Sequence, residues 1–196
     1  MSEPAITTPA ASPQASMTAE QVMGEILDWL KYIVTALAVG LLLVTFVVQN
    51  NKVIGSSMEP TLLQDDQLLV QKVSARLGAF HYGDIITIDG VRLMGAGEPD
   101  LVKRVVGLSG DTIDIRGGRL YRNGIPVDEK YLPAGVQTFP LERGFDHVVL
   151  GPDEIFVMGD NRGNSKDSRV FGPVPVDYVI GTCMIRFYPF SRVGLP

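Results

Sequence analysis

With 196 residues, 45% of them hydrophobic, the chain can supply a real core for one compact domain plus appendages. Its 17 basic and 22 acidic residues leave a formal charge of −5, and without a basic block nucleic acid has no electrostatic support as a partner. A lone cysteine, Cys183, excludes an internal disulfide. With two scattered histidines it lacks zinc-site spacing, so neither a metal nor another cofactor is expected.

Residues 1–17 are rich in Ala, Pro, Ser and Thr and carry too few large apolar side chains to offset the entropy of ordering, which predicts a disordered tail. Thr18 followed by Gln21 has the spacing of a capping box and predicts a helix start. From Ile33 to Val48 only Thr35, Gly40 and Thr45 interrupt strongly apolar residues. Taken from Leu30 to Gln49, the run is long enough as a helix to cross roughly 30 Å of hydrocarbon. Trp29 and Tyr32 suit the interface, and Lys31 can snorkel. The segment 18–49 is therefore expected to be a single membrane anchor in a lipid bilayer. Lys31 and Lys52 flank it almost symmetrically, so charge does not set its orientation.

Residues 50–196 change to short apolar runs separated by turns: QLLVQKV, DIITI, LVKRVVGL, DTIDI, RLYR, HVVL, EIFVMG and VIGTCMIRFY. The pattern is mainly β. Gly117-Gly118 and Asn123-Gly124 each separate two such runs and have the chemistry of two-residue hairpin turns, predicting a meander over 111–128. Cys183, inside VIGTCMI, reads as a buried structural thiol.

The stretch IGSSMEPTLL, residues 54–63, sets adjacent serines just after the apolar run. A nucleophilic serine needs a base. His81 and His147 stand in no recognisable catalytic context and read as surface or structural residues. Lys103 in LVKRVVGL shares a strand face with Leu101 and Val105. By itself that lysine reads as a guard on an exposed edge strand. The block GDNRGNSKDSRVFG, by itself, reads as a solvated turn cluster.

Taken together and in order, GSSMEPTL, YGDIITI, KRVVGLSGD and GDNRGNSKDSRVFG after one apolar segment resemble the type I signal peptidases of bacteria. The resemblance implies a coiled antiparallel β-sheet catalytic domain with one N-terminal transmembrane helix. It further implies a membrane serine endopeptidase that removes signal peptides from exported preproteins after small-x-small sites. The S-M-x-P-T pattern falls on Ser57 as nucleophile rather than Ser56, and the K-R-V-V-G block on Lys103 as general base. Ser165 corresponds to the serine that orients the lysine, and Asp167 and Arg169 to a supporting ion pair. Val53, Leu68 and Val102 are the implied pocket residues. Gly55 stands where some members have a serine that supplies an oxyanion contact, which leaves the Ser57 N–H as the assigned donor. The implied function puts the tail in the cytoplasm and the catalytic domain outside it. Ser57 lies nine residues beyond Val48, a link of at most about 30–32 Å. Two other readings share these features: a Ser-Lys regulatory or self-cleaving protease, and a non-catalytic membrane-anchored peptide-binding β domain.

Overall fold

The computed structural model describes residues 18–141 and 144–196; the tail expected over 1–17 lies outside them. Helix α1 spans Ala19–Phe46. Its first turn is closed by the capping box: the Thr18 N–H donates to Gln21 Oε1 (2.9 Å) and the Gln21 N–H to Thr18 Oγ1 (3.4 Å). Ala19–Leu43, 25 residues, is long and apolar enough to cross a membrane, and none of it is buried by protein. Such a helix is consistent with a membrane anchor. It ends before the expected Gln49 because Val48 and Gln49 already pair in a strand.

The remaining chain forms a separate β unit of two antiparallel sheets. The strands of the large sheet are β1 (Val48–Lys52), β2 (Gln67–Gln71), β3 (Ile85–Ile88), β4 (Leu101–Gly107), β9 (Glu154–Met158), β10 (Val174–Pro175) and β11 (Val179–Tyr188). Their spatial order is β1-β2-β11-β3-β4-β9-β10. The small sheet, ordered β7-β6-β5-β8, holds β5 (Thr112–Arg116), β6 (Arg119–Arg122), β7 (Ile125–Pro126) and β8 (His147–Val149). Its two tight turns, Gly117-Gly118 and Asn123-Gly124, have positive φ at both central residues, the type I′ geometry that matches strand twist.

Alternation along the central strands divides the interior into three apolar clusters. On β9, Ile155 and Val157 join Ile86, Ile88 and Val105, whereas Phe156 and Met158 join Ile113, Leu120 and Val148 of the small sheet. A third cluster gathers Val53, Met58, Leu62, Leu68, Val70, Ile85 and Val102. β4 contributes to all three. It is also no edge strand: β3 pairs with it on one side and β9 on the other, so Lys103 lies in the middle of the sheet.

Candidate active site

Ser57 lies in the turn after Gly55, whose φ of +85° suits a residue without Cβ and whose N–H donates to Gln64 Oε1 at 2.8 Å. Met58 and Leu62, buried in the third cluster, fasten the turn from below. From across the sheet Asn161 fixes it again: its N–H donates to the Ser57 carbonyl (3.0 Å) and its Nδ2 to the Ser56 carbonyl (3.1 Å). Ser56 Oγ accepts from Asn164 Nδ2 at 2.9 Å, so this hydroxyl is tied to the loop beside it. The Ser57 N–H has no acceptor among the described residues.

Lys103 is 2% exposed, and its Nζ lies 2.7 Å from Ser57 Oγ and 3.0 Å from the Val102 carbonyl. Burial lowers its pKa to about 8 against a weaker opposing pull from Asp167 and Asp160. Neither carboxylate touches it, because both are occupied by guanidinium groups. Asp160 accepts from Arg104 Nε (2.9 Å) and Nη2 (2.7 Å) and from Thr61 Oγ1 (2.6 Å). Asp167 accepts from Arg169 Nε and Nη2, both at 2.9 Å, and from the Gly159 N–H at 3.0 Å. These two-pronged pairs hold the negative charges in place and away from the amine.

The block expected to be a solvated turn cluster is instead largely interior: Asp160, Arg162, Ser165, Asp167, Ser168 and Arg169 are buried, and Gly163, Asn164 and Lys166 are exposed. Asp160, Arg162, Asp167 and Arg169 can be buried because each finds a partner of opposite sign. The Ser165 hydroxyl, expected to bond Lys103, is buried with no hydrogen-bond partner. It packs against Gly159, where a Cβ would fall 2.2 Å from Ser165 Oγ and 2.4 Å from the Ser57 carbonyl oxygen. Glycine is what allows the serine turn and the Ser165 loop to meet there. Val53, Leu68 and Val102 come together in the third cluster, all buried.

His81 and His147 are exposed, beside Asp84 and Asp114 respectively, and neither bonds a serine. Cys183 is partly buried against the third cluster, and its burial raises the thiol pKa to about 11. Among the described residues no His/Cys/Asp/Glu group could hold a metal ion. Sequence reasoning gave no role to Arg104, Asp160, Asn161 or Arg162. All four lie inside the quoted blocks, so the only available signal was the density of paired charges within them.

Comparison with known proteins gives the family of the chain. The family model described as signal peptidase, peptidase S26, matches residues 26–188. A signal peptidase I of Leptolyngbya laminosa is 33% identical over 97% of this chain and 93% of its own. Signal peptidase I S of Bacillus subtilis (strain 168) is 38% identical over 86% of this chain and 92% of its own. A solved signal peptidase I from Enterococcus faecalis V583 matches 54% of this chain and 97% of its own, at 27% identity and a TM-score of 0.44. The alternative of a non-catalytic peptide-binding domain is thereby set aside, and the chain belongs to the type I signal peptidases, the S26 serine peptidases that remove signal peptides.

Proposed function

We propose that Ser57 is the nucleophile of this peptidase and neutral Lys103 its general base. The observation that carries the reading is the 2.7 Å contact between Lys103 Nζ and Ser57 Oγ, with the amine buried and free of any carboxylate. A free lysine resists deprotonation at pH 7 by about 5 kcal/mol; at a pKa of about 8 the cost is about 1 kcal/mol. Ser57 Oγ gives its proton to Lys103 Nζ as it attacks the scissile carbonyl, and the oxyanion that forms faces the Ser57 N–H. The Lys103 ammonium then protonates the leaving amine, the C–N bond breaks and an acyl-enzyme remains. Lys103 next takes a proton from water, which attacks the ester, and Ser57 regains its hydrogen.

Ser165 has a supporting role in this scheme. Its unpaired hydroxyl is available to the lysine when the ammonium forms, without fixing a full opposite charge beside it. Asp167 and Arg169 act through architecture: their pair holds the Gly159 N–H against the serine turn. Val53, Leu68 and Val102 form the wall that admits only small side chains before the scissile bond. The substrates are secretory preproteins presented at a bacterial cell membrane. There α1 serves as a single-pass anchor and the catalytic domain is extracytoplasmic. An apolar signal core held in the same bilayer brings the cleavage site to the enzyme.

Turnover of one secretory precursor by purified variants tests the assignment. Ser57→Ala is expected to abolish cleavage, whereas Ser56→Ala retains substantial activity because the Ser56 hydroxyl bonds Asn164 rather than the lysine. Normal turnover in Ser57→Ala removes the nucleophile, and loss in Ser56→Ala alone means that the other serine carries the chemistry.

A further inference from the structure

A cavity of about 360 Å³ opens beside the serine turn, lined by Glu59, Pro60, Pro133, Val136, Gln137, Asn161 and their neighbours. It shares no residue with the wall made by Val53, Leu68 and Val102. Its size is that of a ligand site. Glu59 follows Ser57 by two residues, and its N–H donates to the Ser56 carbonyl at 3.1 Å, which keeps it within one tight turn of the nucleophile. Asn161, which also lines the cavity, is the residue whose N–H holds the Ser57 carbonyl.

The charges around the cavity are unequal in a way that points to a ligand. Asp160 is committed to Arg104 and Thr61. Arg162 is committed to Glu129, Tyr131, Thr138 and the Gly159 carbonyl. Glu59 is half-buried, and its carboxylate has no hydrogen-bond or ion-pair partner among the described residues. The cavity thus has apolar walls from Pro60, Pro133 and Val136 and one uncompensated negative group.

We propose that this cavity binds the first residues of the mature chain, on the leaving-group side of the scissile bond, and that Glu59 selects there for basic over acidic side chains. The inference rests on Ser57 as nucleophile. In this proposal the acyl part of a peptide at Ser57 runs over the valine wall and the leaving part exits over this cavity, which borders the serine turn at Glu59 and Pro60 and shares no residue with that wall. A carboxylate there favours Lys or Arg and repels Asp or Glu.

The test uses the full-length enzyme in phospholipid vesicles with preprotein pairs that differ only in Lys against Glu, at the first or the second residue of the mature chain. Wild type is expected to prefer Lys by about fivefold in kcat/KM at one of these positions, an effect the size of a single partly screened ion pair. Glu59→Gln should bring the ratio close to one, and Gln137→Lys, at an exposed residue of the lining, should shift it toward Glu. Preference for Ala over Leu just before the scissile bond should not move in either variant. A ratio unchanged in folded Glu59→Gln overturns the assignment; if that variant does not fold, an unchanged ratio in Gln137→Lys overturns it instead. An active Ser57→Ala enzyme would defeat the underlying reading separately, whatever the ratios.

Discussion

In the proposed mechanism, Lys103 sets stability against function. Its folded pKa of about 8 lies below the ordinary lysine value of 10.5, so between those two values the unfolded chain binds the proton that the folded chain has lost. Stability contributed at this site therefore rises with pH from about 8 to 10.5 and is at its lowest below 8. Lys103→Met is expected to stabilise the protein at pH 7 by roughly 3 kcal/mol, a gain that vanishes above pH 10.5, while abolishing cleavage. Urea melts at pH 7 and pH 10.5 measure it, and a destabilised Lys103→Met at pH 7 contradicts the burial penalty. Activity has the same origin: in the proposed mechanism the neutral amine is the base, so kcat/KM should fall about tenfold per pH unit below 8 and level off above it. Lys103→Arg should be inactive, since guanidinium stays charged. The neighbouring Val102 and Val53 are stiff β-branched residues on the same cluster. Val102→Ala or Val53→Ala should narrow the preference for Ala over Leu before the scissile bond, at a cost of roughly 2 kcal/mol in stability. An unmoved preference ratio in both variants would exclude them from the pocket.

At the scale of elements, the site depends on two loops meeting across the sheet. The serine turn between β1 and β2 is held by the loop after β9, through Asn161 and Gly159. A methyl group at residue 159 has nowhere to go: the Ser57 carbonyl is backbone and already bonded, so relief must move Ser57. Gly159→Ala is accordingly expected to lose about a hundredfold in kcat/KM, the effect of a misplacement near 1 Å, together with roughly 1–3 kcal/mol of stability. Steady-state kinetics and thermal melts check both, and wild-type turnover in this variant would show that the close approach is dispensable. The strand behind the site is equally constrained. β4 carries Lys103 and Arg104 in succession between β3 and β9, and Arg104 reaches Asp160 with two hydrogen bonds, linking the strand of Lys103 to the loop that holds Ser57.

For the whole molecule, the boundary between helix and β unit falls within a few residues. α1 ends at Phe46, the Val47 carbonyl accepts from the Lys72 N–H at 2.8 Å, and β1 then pairs with all five residues of β2. A chain beginning at Val47 is therefore expected to fold and unfold cooperatively. One beginning at Val53 loses β1, bares the β2 edge and should show a lower, broader urea transition. Equal transitions for the two chains would mean that β1 contributes nothing to the β unit.

Composition and periodicity were enough for the apolar helix, the β character of the remainder and the meander, because each depends on local signals: a capping pair, an unbroken apolar run, glycines at positive φ. Ordered motifs were enough to indicate the family. β1 escaped notice because VQNNK has no two-residue alternation; it is a strand by virtue of its backbone bonds to β2. Only the tertiary structure decided that Lys103 is interior, since a strand's neighbours, and hence whether it is an edge, are set by residues far along the chain. For the same reason only it could show that Asp160, Arg162 and Asp167 are buried. A charged side chain leaves water only when a partner of opposite sign is brought to it, and the pairing of Arg104 with Asp160, 56 residues apart, is made by the fold.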